Sequence, residues 1–226
     1  MLERHDSSTD SVFTDPLDQE TFRALLFNSF LNQQNRLRAS RREGSRLAAI
    51  AETRCCVAEC ADLGNALSLV AARAVELTGS TGAAIAVIVQ GQMSCWAISG
   101  PTAPPLGAAV PLDSGLSGEC LRKRHTLRCD DTESDPRVNR EACARLGGIG
   151  SMLLVPLIQR KAAVGILEVF STKPRAFDEA DEHVLELLAV IASAALGDFA
   201  PSETAMRDSR SVAVGVRPLP SQFSPA

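Results

Sequence analysis

The sequence predicts an α+β domain with an antiparallel central sheet. Long helices are expected on one face of the sheet, short helices and loops over the other, and N-terminal helices before it. Two pairs of strand-like runs are each joined by a very short turn, which is typical of antiparallel hairpins. Apolar residues recur at helical spacing before the first pair and after the second, which predicts the covering helices.

Composition narrows the function classes. The chain has 226 residues, enough for one domain with tails. Its formal net charge is −4 and its aromatic content is 4%, with no Tyr and one Trp, so we expect no nucleic-acid partner. No apolar run reaches the roughly 20 residues of a membrane span, and the N-terminus lacks the apolar core of a secretory signal. We therefore expect a cytoplasmic protein whose seven cysteines are free thiols.

The N-terminal quarter of the chain reads as a polar tail followed by helix. Residues 1–14 have no periodicity and predict a disordered tail. Asp15 and Pro16 suit a helix start, and the helical segment covers 15–61 with a break near Gly44. Its apolar stripe is larger than one flank of a small sheet needs, so we expect these helices to form a homodimer. The stripe consists of Phe22, Leu26, Phe30, Leu47, Ile50 and Val57.

A second domain is expected over 62–199. Its first helix ends at Gly79, and the first strand pair turns at Gly91-Gln92. A second strand pair turns at Arg160-Lys161, and Asp178 caps the last helix. The residues 200–226 are rich in Pro and Ser and predict a disordered tail.

The segment between the two hairpins predicts several short elements rather than a long one. They are an extended run at Val110–Leu112, a helix from Ser114 to Arg124, a strand at Thr126–Cys129, an acidic loop at Asp130–Val138 and a helix at Asn139–Leu146. Such a segment covers a sheet face less tightly than a long helix does, which favours a pocket there.

Several of these segments, in this order, resemble the GAF domain family over about residues 62–197. The resemblance is carried by Gly115–Leu121, Leu127–Asp131, Asp135–Val138, Ser151–Leu157 and Val164–Ser171. It implies a sensor fold for small molecules. Members of the family bind cyclic nucleotides, tetrapyrroles, haem, metabolites or anions, and many only dimerise, so the cofactor or ligand stays unknown.

The expected pocket lies on the sheet face opposite the long helices. Its roof is expected from 113–125 and 130–148, and its floor from Trp96 and Glu168. Glu168 is a charge in a strand that otherwise reads as buried, so it needs a partner, water or a ligand. A position at the solvent-accessible rim is the alternative.

Two charged residues of the middle segment have a binding and a structural interpretation. Arg137 suits an anion, with a salt bridge to the acidic loop as the alternative. Asp130 begins that loop, for which a solvated turn is favoured over a metal site, and we expect no metal. The full set of candidate ligand-binding residues is Trp96, Ser117, Cys120, Asp130, Arg137, Cys143 and Glu168.

The cysteines of the middle segment raise one enzymatic alternative. The free methionine sulfoxide reductases, a branch of the GAF family, use cysteines of the pocket. In that branch, one cysteine occupies the position at which this sequence has Ser117, and Cys120 follows three residues later. Cys143 lies near the position of another cysteine of that branch. This departure favours cysteines that pack as small apolar side chains, with no catalytic residue.

These observations predict a sensory GAF domain that binds an unidentified small polar ligand. It is expected to act through helix-mediated dimerisation or by docking a partner signalling protein, without a membrane. The five arginines between residues 36 and 46 are interpreted as a solvated helical face, with an acidic partner as the alternative. The alternatives for function are a sulfoxide reductase-like thiol enzyme and a ligand-free dimerisation module.

Overall fold

The computed structural model describes residues 16–198, so the predicted tails at 1–14 and 200–226 lie outside it. The helices are Pro16–Ala58 (α1), Leu63–Thr78 (α2), Gly115–Lys123 (α3), Arg140–Arg145 (α4) and Glu179–Asp198 (α5). The strands are Gly82–Val89 (β1), Gln92–Ser99 (β2), Ala109–Val110 (β3), Leu127–Cys129 (β4), Ser151–Gln159 (β5) and Ala162–Ser171 (β6). None of the described helices is long and apolar enough to cross a membrane.

The chain forms two compact units that divide between Ala48 and Ala49. The described part of the first unit is helical throughout, so the predicted break near Gly44 is wrong. A glycine inside an exposed helix costs about 1 kcal/mol relative to alanine but keeps its backbone hydrogen bonds, so it does not end the helix by itself. The large apolar side chains exposed in this unit are Phe22, Leu25, Leu26, Phe27, Phe30, Leu31, Leu37 and Leu47.

The second unit is built on a six-stranded antiparallel sheet with the order β3-β2-β1-β6-β5-β4. Both predicted hairpins are confirmed, and β1 pairs with β6 to join them at the centre of the sheet. The first turn consists of Gln90 and Gly91, one residue earlier than predicted, because Val89 already pairs with Gln92. The α+β prediction is thereby confirmed.

Helices α2 and α5 pack on one face of the sheet. They bury a core to which the last turns of α1 also contribute, through Ile50 and Val57. The prediction that these two residues belong to the stripe for dimerisation is therefore wrong. They cover the sheet of their own chain.

Local capping explains where the covering helices begin and end. Asp62 caps α2 by accepting a hydrogen bond from the backbone N–H of Asn65 at 2.8 Å, and Gly79 ends the helix with a φ of 64°. At the start of α5, Asp178 accepts from the N–H of Asp181 at 3.0 Å, and Asp181 accepts from the N–H of Asp178 at 3.1 Å. This reciprocal pair confirms the predicted cap.

A β-bulge moves Trp96 to the face opposite the one predicted. Ile85 pairs with Ala97 and Ala86 pairs with Cys95, so Trp96 is an extra residue on β2. Strict alternation counted from Ile98 places Trp96 over the expected pocket, but the bulge shifts the pattern by one. Trp96 packs against the core beneath α2 and α5, and its prediction as a pocket-floor residue is wrong.

Candidate functional site

The second face of the sheet contains a buried carboxylate. Glu168 lies on β6, and in the strand register it pairs with Ala84 of β1 and with Leu154 of β5. The residue is only 5% exposed and belongs to a face otherwise packed with apolar side chains. Its Oε1 accepts a hydrogen bond from Ser117 Oγ at 2.6 Å. The sequence alternative of a solvent-accessible rim position does not hold.

Burial changes the acidity of this carboxyl. Loss of hydration raises the pKa of Glu168 to about 7, although the hydrogen bond from Ser117 works in the opposite direction. Because neutral pH is close to that value, the charged and neutral forms of the side chain are both present. The group can therefore either accept a hydrogen bond from a ligand or donate one to it.

Two thiols lie close to the carboxyl. Burial raises the pKa of both Cys95 and Cys120 to about 12, and the negative charge of Glu168 adds to the effect. Cys120 Sγ donates a hydrogen bond to the carbonyl of His125 at 3.6 Å. Cys95 was missed by sequence reasoning, although its place two residues after Met93 on one face of β2 could have indicated it.

Helix α3 carries Ser117 over the carboxyl, and its backbone lies close to the segment that precedes the helix. A Cβ added to Gly118 would lie 2.7 Å from the carbonyl oxygen of Leu112, so only glycine allows this contact. The positive φ of Gly115, 69°, leads the chain into the helix. Ser117, Cys120 and Glu168 are thus brought together as the sequence suggested. We call these three residues, with Cys95, the buried polar site.

The clefts in the second unit lie beside this site rather than on it. One has a volume of about 430 Å³ and is formed by the acidic loop together with Arg128, Arg137 and Arg175. The other, of about 400 Å³, includes Cys143 and Ile149. Glu168 lines neither of them, and a ligand at the buried polar site has to displace the apolar side chains packed there.

The guanidinium of Arg137 is occupied by carboxylates of this chain. It donates to Asp135 through Nε and Nη2, at 2.9 and 2.6 Å, and to Glu119 through Nη1 at 3.0 Å. These contacts hold the pKa of Asp135 at about 2, well below its usual range. They favour the salt-bridge interpretation of Arg137 over an anion site. Asp135 belongs to the acidic loop named in that interpretation, whereas Glu119 of α3 was not expected as a partner.

The other two candidates lie apart from the carboxyl. Asp130 pairs with Nε of Arg128 at 3.0 Å. Cys143 is the buried residue of α4, and burial raises its pKa. Cys129, also buried, has its pKa raised to about 11. Within residues 16–198, no group of three or more His, Cys, Asp or Glu side chains is placed to hold a metal ion.

The sheet order, the helices on both faces and the α3 segment over β6 define a known class of domain. A sequence model described as the GAF domain matches residues 60–197. The chain belongs to the GAF domain family. A comparison with curated protein sequences gave no match.

Solved structures of GAF domains with diverse roles resemble this fold. A free methionine-R-sulfoxide reductase from Neisseria meningitidis, in complex with its substrate, is 22% identical with a TM-score of 0.61, covering 72% of this chain and 93% of that one. The GAF domain of a phosphoenolpyruvate-protein phosphotransferase from Coxiella burnetii is 20% identical with a TM-score of 0.61, covering 75% and 98%. The chromophore-binding domain of a bacteriophytochrome from R. palustris is 13% identical with a TM-score of 0.59, covering 71% and 62%. At these identities the likeness concerns the fold.

Proposed function

We propose that this GAF domain binds a small polar molecule at the buried polar site and acts as a sensory module. The observation that carries the proposal is the Glu168 carboxyl, which is buried among apolar side chains with Ser117 Oγ as its recorded hydrogen-bond donor. A buried carboxyl with so little compensation is costly to the fold. Such perturbed groups cluster at functional sites.

The chemistry of the site favours a ligand that carries an amino or amide group. A cation or N–H donor placed beside Glu168 would compensate its charge and lower its pKa. The side chains of Ala84 and Ala86 on β1 are small, so a ligand of modest size would fit beside Glu168 only where it displaces apolar side chains of this packed face. Ser117 of α3 donates a hydrogen bond to Glu168. A ligand that binds Glu168 would therefore change the position of α3 directly.

We further propose that the chain forms a homodimer through α1. Eight large apolar residues of the first unit are at least 40% exposed, and every copy of the chain carries the same stripe, which suits a self-complementary pairing. They are Phe22, Leu25, Leu26, Phe27, Phe30, Leu31, Leu37 and Leu47. Dimerisation would give the sensor a route to other signalling proteins.

Thermal shift measurements with small polar metabolites test the ligand proposal. A ligand present at 100 times its Kd should stabilise the fold by about 2.7 kcal/mol, seen as a raised Tm. The response should be lost in Glu168→Gln and kept in Glu141→Gln, which changes an exposed glutamate of α4. If no amine or amide raises Tm in the wild type, a ligand-free dimerisation module becomes the better account.

The sulfoxide reductase alternative is favoured by two similar solved structures and disfavoured by the pKa values of the thiols. A catalytic thiol attacks as the thiolate, which is scarce at neutral pH when the pKa is about 12, as for Cys120.

We therefore expect no turnover of free methionine sulfoxide with a thiol reductant. Cys120→Ser, Cys129→Ser and Cys143→Ser should each lower the unfolding free energy modestly, by about 1 kcal/mol, because they place a hydroxyl in an apolar site. Coupled consumption of the reductant measures the activity. Turnover that disappears in Cys143→Ser would reverse this ranking.

A further inference from the structure

A cluster of basic side chains lies where the end of α3 meets the β5–β6 turn, outside the buried polar site. We call it the basic patch, and its members are Arg122, Lys123, Arg124, Arg160 and Lys161, all exposed. Nη1 of Arg124 donates to the carbonyl of Lys161 at 2.9 Å, which joins the two segments. Lys123 pairs with Glu119, and within residues 16–198 the other four make no ion pair.

Three of these residues adopt a backbone conformation that favours glycine. Arg124 ends α3 with φ 56° and ψ 37°, the left-handed position that glycine usually fills. Arg160 has φ 46° and Lys161 has φ 72°. Left-handed conformations are unfavourable for residues with a Cβ, and this cost is borne at three neighbouring positions of the patch.

The other hairpin of the same sheet provides an internal comparison. The β1–β2 turn also has two central residues with positive φ, Gln90 at 53° and Gly91 at 76°. This is the type I′ turn, in which Asn-Gly is the preferred pair. The β1–β2 turn has glycine at its second position, whereas the β5–β6 turn has none and carries two cations. Backbone strain of this kind concentrates at functional sites.

We infer that the basic patch is a docking surface for an acidic segment of a partner protein. Four cations without an ion-pair partner among the described residues give a local positive field on a chain of net charge −4, although Arg122 and Arg124 also donate to backbone carbonyls. Three of the five members are arginines, whose guanidinium groups form paired hydrogen bonds with carboxylates. The inference is independent of the ligand proposed for Glu168.

The composition of the patch disfavours two other anionic partners. Single-stranded nucleic acid is held by stacking of bases on aromatic side chains, and the patch has none. A hairpin that docks on a lipid surface inserts bulky apolar side chains, whereas this tip consists of Arg160 and Lys161 followed by Ala162.

The double variant Arg160→Asn, Lys161→Gly in the full chain separates stability from binding. Asn-Gly suits the turn, so Tm should rise by about 3–6 °C. A short fluorescein-labelled peptide of alternating glutamate and alanine should bind the wild type at low ionic strength, and the variant about tenfold more weakly. Wild-type binding should weaken further at about 0.15 M salt.

A matched control removes two cations and one residue with a left-handed backbone conformation beyond the opposite end of β6. Lys173→Gln with Arg175→Gly should leave the affinity for the peptide unchanged, because Arg175, φ 52°, lies beyond the far end of the strand. Peptide affinity that is equal in the wild type and the Asn-Gly variant would overturn the inference, as would a Tm that does not rise. Tighter binding to single-stranded DNA or to phosphatidylserine vesicles, lost in the Asn-Gly variant, would replace the acidic protein by that partner.

Discussion

Replacing Glu168 by glutamine is expected to remove a large pH dependence of stability. The carboxyl has its pKa raised from 4.5 to about 7 by burial, so between these values the native state binds more protons than the unfolded chain. Wild-type stability should therefore be fully present below about pH 4.5 and should fall as pH rises towards 7. The loss attributable to this group is about 3 kcal/mol.

Chemical denaturation at several pH values measures this effect. Glu168→Gln should show a flatter profile between pH 4.5 and about 7 and should be the more stable protein at the upper end, because glutamine keeps the shape without a charge. Ser117→Ala removes the hydrogen bond that lowers the pKa of Glu168, so the pH range over which stability falls should extend to higher pH. Glu141→Gln serves as the exposed control and should retain the wild-type profile. A glutamine variant with an unchanged pH dependence would show that Glu168 is well solvated in the native state.

Removing residues 1–45 is expected to convert a dimer into a folded monomer. The deletion takes away the exposed large apolar residues of the first unit except Leu47, but keeps Ile50 and Val57, which are buried in the core of the second unit. In sedimentation, the remaining chain should therefore have the mass of one truncated chain rather than of two. Its thermal unfolding should remain cooperative.

Substitutions in the full chain provide an independent version of the same measurement. Leu26→Asp with Phe30→Asp places two charges in the stripe, where burial against a second copy would be costly. Val190→Asp is the matched control, since Val190 is a large apolar residue of α5 that is 67% exposed. The double variant should be monomeric and the control dimeric. A truncated chain that stays dimeric would place the interface in the second unit.

Ligand binding at Glu168 and dimerisation through α1 can affect each other. A ligand that compensates Glu168 would stabilise the arrangement in which Ser117 and α3 lie over the sheet. If that arrangement differs between monomer and dimer, the ligand and the dimer become thermodynamically linked. Measuring ligand affinity in the wild type and in the truncated chain tests this linkage.

Much of the fold could be read from local sequence. The two hairpins followed from short turns between β-branched runs. The end of α2 followed from Gly79 and the start of α5 from Asp178, whose backbone or side chain acts on residues nearby in the chain. These signals are local, so a single sequence contains them. The continuous helix through Gly44 was missed because a glycine weakens a helix without the left-handed turn that ends one.

The sequence alone determined that Glu168 is a charge within a buried strand and that the chain has the GAF order of elements. Only the tertiary structure decided what that charge meets, because Ser117 is 51 positions away from Glu168 and the contact depends on how α3 lies over β6. It also moved Trp96 to the other face. A bulge adds one residue to one strand and is defined by the pairing with its neighbour, so alternation within a single strand does not reveal it.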